Sequence, residues 1–374
     1  MVRATPHVNG AVASKKPSKW KLEWCPLLAN RDSCLWYPKL KACATKLAEE
    51  AGQSSEDKDA ELLMAPDLSH PAPLATPFPL HDLKALKCMT ARGHTKLCKG
   101  RYGTHTVAVK IIRMDPVEEG GHLSPGTGTT EANLAMTLSH PCIVQTYGSN
   151  VRGEVTQGVV APWSHMWIVQ EWCDMGSLSQ KIQAHEISRG DDLQEGVEIA
   201  AQISDALNYM HGCGIIHLDL TSSNVLLTRS NSLRGYSVKV GDFGLSLVLE
   251  WGKTKVSSQF TGTVSFMPPE LLLKVGKHLT KAVDVYSFGV ILWQLCTFEV
   301  PFAGLSPVQI VVQLARGETL TLPGGSPIRL ANMCRRCMAR APNERPVFSE
   351  LIEELLGECD SWSARVEGAP GSGL

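Results

Sequence analysis

The chain has 374 residues and a formal net charge of −1, and 43% of its residues are hydrophobic while 20% are charged. This balance is ordinary for a globular protein, and the length allows one large two-lobed domain or two modest ones. The near-zero charge gives no reason to predict a nucleic-acid or membrane-surface partner, and we predict neither. The most apolar stretch, residues 283–295, contains Asp284 and is too short to span a bilayer.

Twelve cysteines are scattered along the chain. Because the chain is far larger than a disulfide-stapled module and opens with no secretory signal, this usage predicts a reducing compartment, the cytoplasm. Cys334 and Cys337 form a C-x-x-C pair inside a run that looks helical. No second ligand pair lies nearby in the sequence, so we interpret both cysteines as helix-surface residues and not as a metal or redox site.

The amino-terminal region carries little pattern of its own. The first 22 residues hold five lysines or arginines and no acid, which is faintly like an organelle transit peptide; the alternative is a poorly ordered region. Residues 66–80 contain five prolines, a composition typical of an extended linker. We therefore predict that residues 1–80 are poorly ordered and that the organised domain begins near residue 81.

Two segments after this boundary show regular periods. Residues 106–112 alternate with a period of two, which predicts a strand that carries Lys110 on one face. Residues 129–139 place apolar side chains and Glu131 on one stripe at helical spacing. The glutamate is therefore predicted to face the interior.

Further along the chain, helical patterns predominate. A short buried strand is predicted at 168–170, a long helix at 195–210 and a strand at 237–240. Beyond residue 260 the pattern is helical and punctuated by prolines, and residues 358–374 are predicted to form a flexible tail. Strands first and helices afterwards predict an α+β chain with a small sheet lobe and a larger helical lobe.

Two predicted loops carry aspartate and asparagine residues of the kind that bind metal ions and accept protons in phosphoryl transfer. Asp219 and Asn224 lie five residues apart after the long predicted helix, where one can accept a hydroxyl proton and the other can hold Mg²⁺. The run Asp242-Phe243-Gly244 begins 18 residues after Asn224 and follows a predicted strand. A carboxylate at that place can bind a metal ion that bridges phosphates.

Taken in order, these motifs resemble those of the protein kinase superfamily over residues 81–357, in particular serine/threonine kinases of the tyrosine-kinase-like group. The resemblance implies a two-lobed kinase fold, with a small antiparallel-sheet N-lobe containing one helix (81–172) and a larger helical C-lobe (173–357). The matching residues are Val107-Ala108-Val109-Lys110, Glu131, His140-Pro141-Cys142-Ile143-Val144, Gln170-Glu171-Trp172-Cys173, His217 to Asn224, Asp242-Phe243-Gly244, Gly262-Thr263, Met267-Pro268-Pro269-Glu270, Asp284 to Gly289 and Arg345-Pro346.

The resemblance also implies ATP and Mg²⁺ as cofactors and a protein as substrate. Asp219 would orient and deprotonate the attacking hydroxyl. Lys110 would contact the α- and β-phosphates and pair with Glu131, while Asn224 and Asp242 would bind the metal ions.

On the nucleotide side, the resemblance implies an adenine pocket next to the connection between the lobes. Gln170 would be the gatekeeper residue, and the backbone of Glu171 and Cys173 would hydrogen-bond the base. The pocket would be lined by Leu97 and Ala108.

Three further residues are assigned by the same resemblance. Thr263 would favour serine or threonine over tyrosine as the acceptor. Glu270 and Arg345 would form a buried ion pair that supports the substrate loop, and its loss would be costly because it strands a charge.

The glycine-rich loop of the family is degraded in this chain. Its three glycines fall on Thr90, Arg92 and Thr95, and only Gly93 is nearby as a nucleotide-binding candidate. Side chains at these positions would crowd a backbone that normally approaches phosphate closely, so we expect weaker phosphate positioning.

The catalytic loop also departs from the family pattern. Leu218 replaces an arginine that binds an activation-loop phosphate, and Thr221 replaces a lysine that neutralises the transferred phosphate. We predict a protein serine/threonine kinase of reduced output. The alternative is a pseudokinase that acts as a scaffold or an allosteric binding module.

Overall fold

The computed structural model describes residues 78–114, 128–156, 159–188, 194–232, 234–249, 256–257, 262–273, 278–326 and 328–367. The basic segment at the amino terminus and most of the proline-rich stretch lie outside the described residues. So does the end of the predicted tail, residues 368–374. The described residues form the predicted two-lobed α+β fold.

The first lobe is built on a five-stranded antiparallel sheet, and within the described residues it holds one helix, α1 (Gly128–Thr137). The strands lie side by side in the order β1-β2-β3-β5-β4. Their bounds are β1 Leu83–Arg92, β2 Thr95–Tyr102, β3 His105–Met114, β4 Thr146–Thr156 and β5 Val159–Glu171. Strand β5 is much longer than predicted because antiparallel pairing with β4 extends it toward residue 159, through residues with no clear alternation.

Strand β3 alternates as its sequence predicts. Val107 and Val109 are fully buried on one face of the sheet, together with Val169 of β5. Lys110 therefore points to the opposite face, where Ile112 packs near Ala132 of α1. This alternation directs the lysine toward the helix that carries Glu131.

The sheet is anchored by Phe78, which lies three residues before the predicted start of the domain. Its N–H donates to the carbonyl of Ser149 at 3.0 Å, and its own carbonyl accepts from Asn150 Nδ2 at 2.8 Å. The ring lies 4.8 Å from that of Tyr102 and the residue is only 7% exposed. This end of the proline-rich stretch therefore belongs to the packed sheet.

The close packing of Phe78 on Gly148 gives a first prediction. A Cβ atom at Gly148 would lie 2.6 Å from Cδ2 of Phe78, so Gly148→Ala must displace the ring. We expect a loss of about 1–3 kcal/mol in the free energy of unfolding, the usual cost of overpacking, measured by urea denaturation. Gly153→Ala on the same strand is the control, because a Cβ there meets nothing within 4 Å. Equal effects of the two substitutions would contradict the packing argument.

The second lobe is mainly helical, and its core lies where α3, α5, α7 and α8 pack together. The helices are α2 Leu178–Gln183, α3 Gln194–Gly212, α4 Pro269–Leu273, α5 Ala282–Thr297, α6 Pro307–Ala315, α7 Ile328–Cys337 and α8 Phe348–Glu367. Short strand pairs complete it: β6 Ile215–Ile216 with β9 Leu247–Val248, β7 Val225–Arg229 with β8 Tyr236–Val240, and β10 Val256–Ser257 with β11 His278–Leu279. Among the described residues, no helix combines the length and the hydrophobicity needed to cross a bilayer.

The interpretation of Cys334 and Cys337 as helix-surface residues is wrong. Both are fully buried where α7 packs on α5, and a Cβ at Gly289 of α5 would lie 2.8 Å from Cβ of Cys337. Their spacing places both cysteines on the apolar stripe of α7 with Leu330, because residues three and four apart lie on one face of a helix. Burial raises the pKa of the Cys337 thiol to about 12, so this cysteine is chemically quiet.

Candidate active site

The cleft between the lobes contains a three-membered ion cluster centred on Lys110. The Nζ atom of Lys110 lies 2.6 Å from Oε1 of Glu131 on α1 and 2.7 Å from Oδ1 of Asp242, which follows β8. The strand, the helix and the loop come from distant parts of the chain. The arrangement thus joins both lobes through one ammonium group.

The charges in this cluster shift one another's ionisation. Burial by itself lowers the pKa of Lys110, but the adjacent carboxylates of Glu131 and Asp242 outweigh it and raise that pKa. Burial would raise the pKa of Asp242, yet the lysine holds it below its ordinary value. Burial raises the pKa of Glu131, and this rise is larger than the lowering that Lys110 causes. Because its pKa is lowered, Asp242 is an ionised carboxylate at neutral pH. Its side chain is 48% exposed.

A hairpin brings the two predicted metal ligands together. Strands β7 and β8 pair antiparallel with Val225 opposite Val240, so the residues just outside this pair are neighbours. Asn224 precedes β7 and Asp242 follows β8. The N–H of Gly241 donates to the carbonyl of Asn224 at 2.9 Å, which fixes the two loops against each other.

Asp219 is held by hydrogen bonds on both of its oxygens. Its Oδ1 accepts from the backbone N–H and the hydroxyl of Thr263, at 3.1 and 2.9 Å. Its Oδ2 accepts from Nδ2 of Asn224 at 3.0 Å. Because Nδ2 is directed to Asp219, the amide oxygen of Asn224 is the atom that can coordinate a metal ion. The carboxylate is therefore pre-oriented by groups from two different loops.

The loop that carries Asp219 is anchored from below by Asp284 of α5. Oδ2 of this fully buried carboxylate accepts from the N–H of His217 and lies 2.8 Å from Nε2 of His211, and its Oδ1 accepts from the N–H of Leu218 at 2.9 Å. Leu218 has a φ of 65°, a strained conformation for a residue other than glycine. Three donors on one carboxylate hold the backbone in this shape.

The ionisation of Asp284 follows from these contacts. Burial alone would raise its pKa, but the hydrogen bond to His211 and the neighbouring His217 outweigh burial and keep the pKa below its ordinary value. No role was predicted for Asp284 from the sequence. The signal was an acid inside the apolar stretch 283–295, since a charge survives there only with strong partners.

His217 links the two catalytic loops. The backbone N–H of Asp219 donates to Nδ1 of His217 at 3.3 Å, so Nε2 carries the ring proton and donates to the carbonyl of Gly241 at 3.1 Å. The imidazole also lies 5.7 Å from the ring of Phe243. The positions of Asp219 and Asp242 are thus coupled through one buried side chain.

The predicted adenine pocket lies where β3 meets the end of β5. Ala108 pairs with Gln170, and Leu97 of β2 pairs with Lys110, so Leu97 and Ala108 face the cleft with the lysine. Nε2 of Gln170 donates to Thr146 Oγ1 at 3.1 Å.

Beyond Gln170 the chain passes to the second lobe. The N–H of Glu171 donates to the carbonyl of Gln145 at 2.9 Å, which leaves its carbonyl as the group that can accept from a base. Burial, with the nearby charge of Glu171, raises the pKa of the half-buried Cys173 thiol to about 12.

The comparisons with known proteins agree with this geometry. A family model described as protein tyrosine and serine/threonine kinase matches residues 88–355. The chain belongs to this kinase family. The match includes both lobes and every loop that contributes to the ion cluster and to the environment of Asp219.

Similar curated proteins carry kinase names. The chain is 32% identical over 270 residues to the serine/threonine/tyrosine-protein kinase HT1 of Arabidopsis thaliana, covering 71% of this chain and 64% of that protein. It is 31% identical over 313 residues to mitogen-activated protein kinase kinase kinase 10 of Xenopus laevis, covering 80% of this chain and 28% of the relative. Mitogen-activated protein kinase kinase kinase 11 of Homo sapiens is 31% identical over 282 residues, covering 73% of this chain and 31% of the relative. The chain thus spans less than two thirds of these relatives.

The roof of the cleft in this kinase domain is the hairpin of β1 and β2. Strands β1 and β2 stay paired up to Arg92 and Thr95, and only Gly93 and His94 form the turn. Gly93 has a φ of 54°, which a glycine adopts without strain. The carbonyl of His94 accepts from the N–H of Arg113 at 2.8 Å, which ties the turn to β3. The predicted loss of the glycine loop thus appears as a short, tightly paired turn.

Thr221 has a local structural role in this kinase. It is 4% exposed, and its hydroxyl accepts from the N–H of Asn224 at 3.3 Å. The residue therefore shapes the turn that presents Asn224. It supplies no positive charge to a transferred phosphate.

The kinase carries a buried ion pair below the cleft. The guanidinium of Arg345 binds both oxygens of Glu270 at 2.7 Å and also donates to the carbonyls of Ala282 and Ala339, at 2.9 and 2.8 Å. The side chain of Arg345 is fully buried. A bidentate pair of this kind fixes the segment around Glu270 against α5.

A separate group of metal-ligand types lies behind the cleft of the kinase. Ligand atoms of His140, Cys142 and Asp205 are within 4.8 Å of one another. The N–H of Cys142 donates to Nδ1 of His140 at 3.1 Å, so Nε2 carries the ring proton and faces Asp205 Oδ2 at 3.4 Å. A protonated ring nitrogen cannot bind a metal ion. The group is therefore a buried contact between the segment after α1 and helix α3.

Proposed function

We propose that this chain is an ATP-dependent protein kinase that transfers the γ-phosphoryl group to serine or threonine hydroxyls of a protein substrate. The observation that carries this proposal is the position of Lys110, within 2.7 Å of both Glu131 and Asp242. That geometry holds the lysine, the metal-binding carboxylate and the helix in the arrangement that phosphoryl transfer requires.

The residues in the cleft fit Mg²⁺-ATP. A half-exposed ionised carboxylate at Asp242 and the amide oxygen of Asn224 are oxygen donors of the kind that Mg²⁺ prefers. Bound Mg²⁺ would neutralise charge on the phosphates. Lys110 would contact the α- and β-phosphates, and the carbonyl of Glu171 and the N–H of Cys173 would bind the base.

Asp219 would orient the substrate hydroxyl and accept its proton. Its Oδ1 already accepts two hydrogen bonds from Thr263, and a hydroxyl of the substrate would bind next to that oxygen. The position of Thr263 beside the base supports serine or threonine as the acceptor. Thr221 is uncharged and cannot neutralise the charge on the transferred phosphate, so we propose a kinase with a low rate of phosphoryl transfer.

We further propose that the protein acts in a reducing compartment, the cytoplasm, in signalling through a protein substrate. The eight cysteines whose side chains the structure describes are all free thiols, which supports this location.

The scaffold alternative rests on two departures, the short turn at Gly93 and the neutral Thr221. Both weaken phosphate binding or transfer, but neither removes a residue that binds metal or accepts a proton. The intact contacts of Lys110 and Asp219 favour an enzyme. Nucleotide binding and phosphoryl transfer, measured separately, distinguish the two functions.

Nucleotide binding gives the second prediction. Mg²⁺-ATP is expected to raise the melting temperature, because a ligand at 100 times its Kd stabilises the folded state by about 2.7 kcal/mol. ATP with EDTA is expected to produce a smaller shift, and Asp242→Asn to remove the difference between the two conditions. Thermal denaturation followed by fluorescence measures each shift.

The control for this experiment is Glu198→Gln. Glu198 pairs with Arg234 on the outer surface of α3, away from the cleft. Mg²⁺-ATP should therefore raise the melting temperature of Glu198→Gln by as much as that of the unaltered chain. A folded protein with no shift at millimolar Mg²⁺-ATP would contradict the proposed nucleotide site.

A further inference from the structure

Two cysteines face each other on the hairpin that forms the roof of the cleft. Cys88 of β1 is the direct antiparallel partner of Cys98 of β2. Directly opposed residues point to the same face, with Cα atoms about 4.5–5.5 Å apart. Disulfides form at Cα separations of about 4.4–6.8 Å, so the separation expected for this pair lies within the range that a disulfide spans.

The two thiols differ in access. Cys88 is exposed and its Sγ lies 3.5 Å from the carbonyl of Thr90. Cys98 is 6% exposed and packs in the cluster that contains Val107 and Val109. Burial, followed by the charge of Cys88 and a hydrogen bond between the two thiols, raises the pKa of Cys98. Cys88 is thus the thiol that a solvent-borne oxidant reaches, and Cys98 lies in contact behind it.

We propose that Cys88 and Cys98 form a peroxide-oxidised modification site that closes to an intrachain disulfide. The Cys88 thiolate attacks one oxygen of hydrogen peroxide, which gives the sulfenic acid and hydroxide. The sulfur of Cys98 then attacks the Cys88 sulfur, the S–O bond breaks, and the thiol proton leaves with the oxygen as water. In total, two thiols and one peroxide give one disulfide and two waters.

The position of the pair explains why the bond would matter. Strand β1 is an edge strand of the sheet, and among the described strands it pairs with β2 alone. Its register shifts between Lys84 and Lys87 and again between Cys88 and Thr90. An edge strand with two irregularities is held weakly. A bond from Cys88 to Cys98 would fix it to β2, the strand that carries Leu97 over the cleft. This link to nucleotide handling rests on the proposed function, whereas the thiol chemistry does not.

Other described cysteines are poorer candidates. Cys334 and Cys337 are fully buried. Burial and the charge of Glu171 raise the pKa of Cys173 to about 12, so its thiolate fraction at neutral pH is small. Cys88 is therefore a better target for a solvent-borne oxidant than these three thiols.

Peptide mapping of the full chain tests the proposal directly. The protein is treated with hydrogen peroxide, remaining thiols are blocked with a maleimide in denaturant, and the digest is analysed without reduction. Trypsin cleaves after Lys87, Arg92, Lys96 and Lys99, so the bond joins peptide 88–92 to peptide 97–99. We expect this linked species, a loss of two thiols per chain, and full reversal by dithiothreitol. Linkage of Cys88 to any other cysteine, or between two chains, would overturn the proposal.

Single substitutions give an independent readout. Cys98→Ser is expected to stop at the Cys88 sulfenic acid, which dimedone traps, while the unaltered chain and the control Cys296→Ser pass on to the disulfide. In the oxidised chain, hydrogen exchange of the β1 amides is expected to slow severalfold relative to the reduced chain. Equal dimedone labelling of Cys98→Ser and the unaltered chain, or unchanged β1 exchange, would count against the closed bond. These results do not depend on kinase activity, so they fail or succeed separately from the proposed function.

Discussion

Asp219→Asn is expected to lower the rate of phosphoryl transfer by about 10²- to 10⁴-fold, the range of a lost general base. Asparagine keeps the shape of the side chain, so Thr263 and Asn224 can stay close. It cannot accept the proton of the substrate hydroxyl, however. The measurement is transfer of labelled phosphate from Mg²⁺-ATP to a generic protein acceptor. Thermal unfolding of the same samples establishes that the variant is folded.

The Glu198→Gln protein serves as the matched carboxylate-to-amide control. Its rate should equal that of the unaltered chain, because Glu198 pairs with Arg234 at the surface of α3, away from the cleft. Equal signals from the unaltered chain and Asp219→Asn would indicate a contaminating kinase. If the folded unaltered protein transfers no phosphate but binds Mg²⁺-ATP, the scaffold alternative is favoured.

Much of the fold could be predicted because its motifs impose local structure. Alternation over residues 106–112 places Lys110 on the cleft face, and the stripe that contains Glu131 turns that residue inward. These two periods depend only on neighbouring residues. The convergence of Lys110, Glu131 and Asp242 was inferred from resemblance, since no local period brings residues that far apart together.

The features that were missed depend on packing between distant segments. The surrounding prolines predict that Phe78 belongs to a linker, yet its ring packs directly on Gly148. This contact exists only once the sheet has folded. The sequence predicts Cys334 and Cys337 to be helix-surface residues because no second ligand pair lies near them, an argument that does not test their burial. Which side of that helix meets α5 is decided by the tertiary fold.

Asp284→Asn is expected to lower the free energy of unfolding by about 3–5 kcal/mol, the usual cost of breaking a buried charged network. In asparagine, an NH₂ group replaces one of the two carboxylate oxygens of Asp284. Since one oxygen accepts from the backbone N–H of His217 and the other from that of Leu218, one of these two N–H groups loses its acceptor. Denaturant unfolding measures the loss. Asp174→Asn is the control, because Asp174 pairs with Arg229 at the surface and should cost no more than about 1 kcal/mol.

The pH dependence separates loss of the Asp284 charge from loss of its shape. The pKa of Asp284 is depressed in the folded state, so its contribution to stability is fully present above the unfolded value of about 3.9. That contribution is lost as the pH falls through the lower folded pKa. The difference in unfolding free energy between the unaltered chain and Asp284→Asn should therefore be constant near neutrality and shrink below about pH 4. A difference that stays constant through the acid range would mean that shape alone accounts for the loss, and that the carboxylate charge does not hold the backbone of Leu218 in its strained conformation.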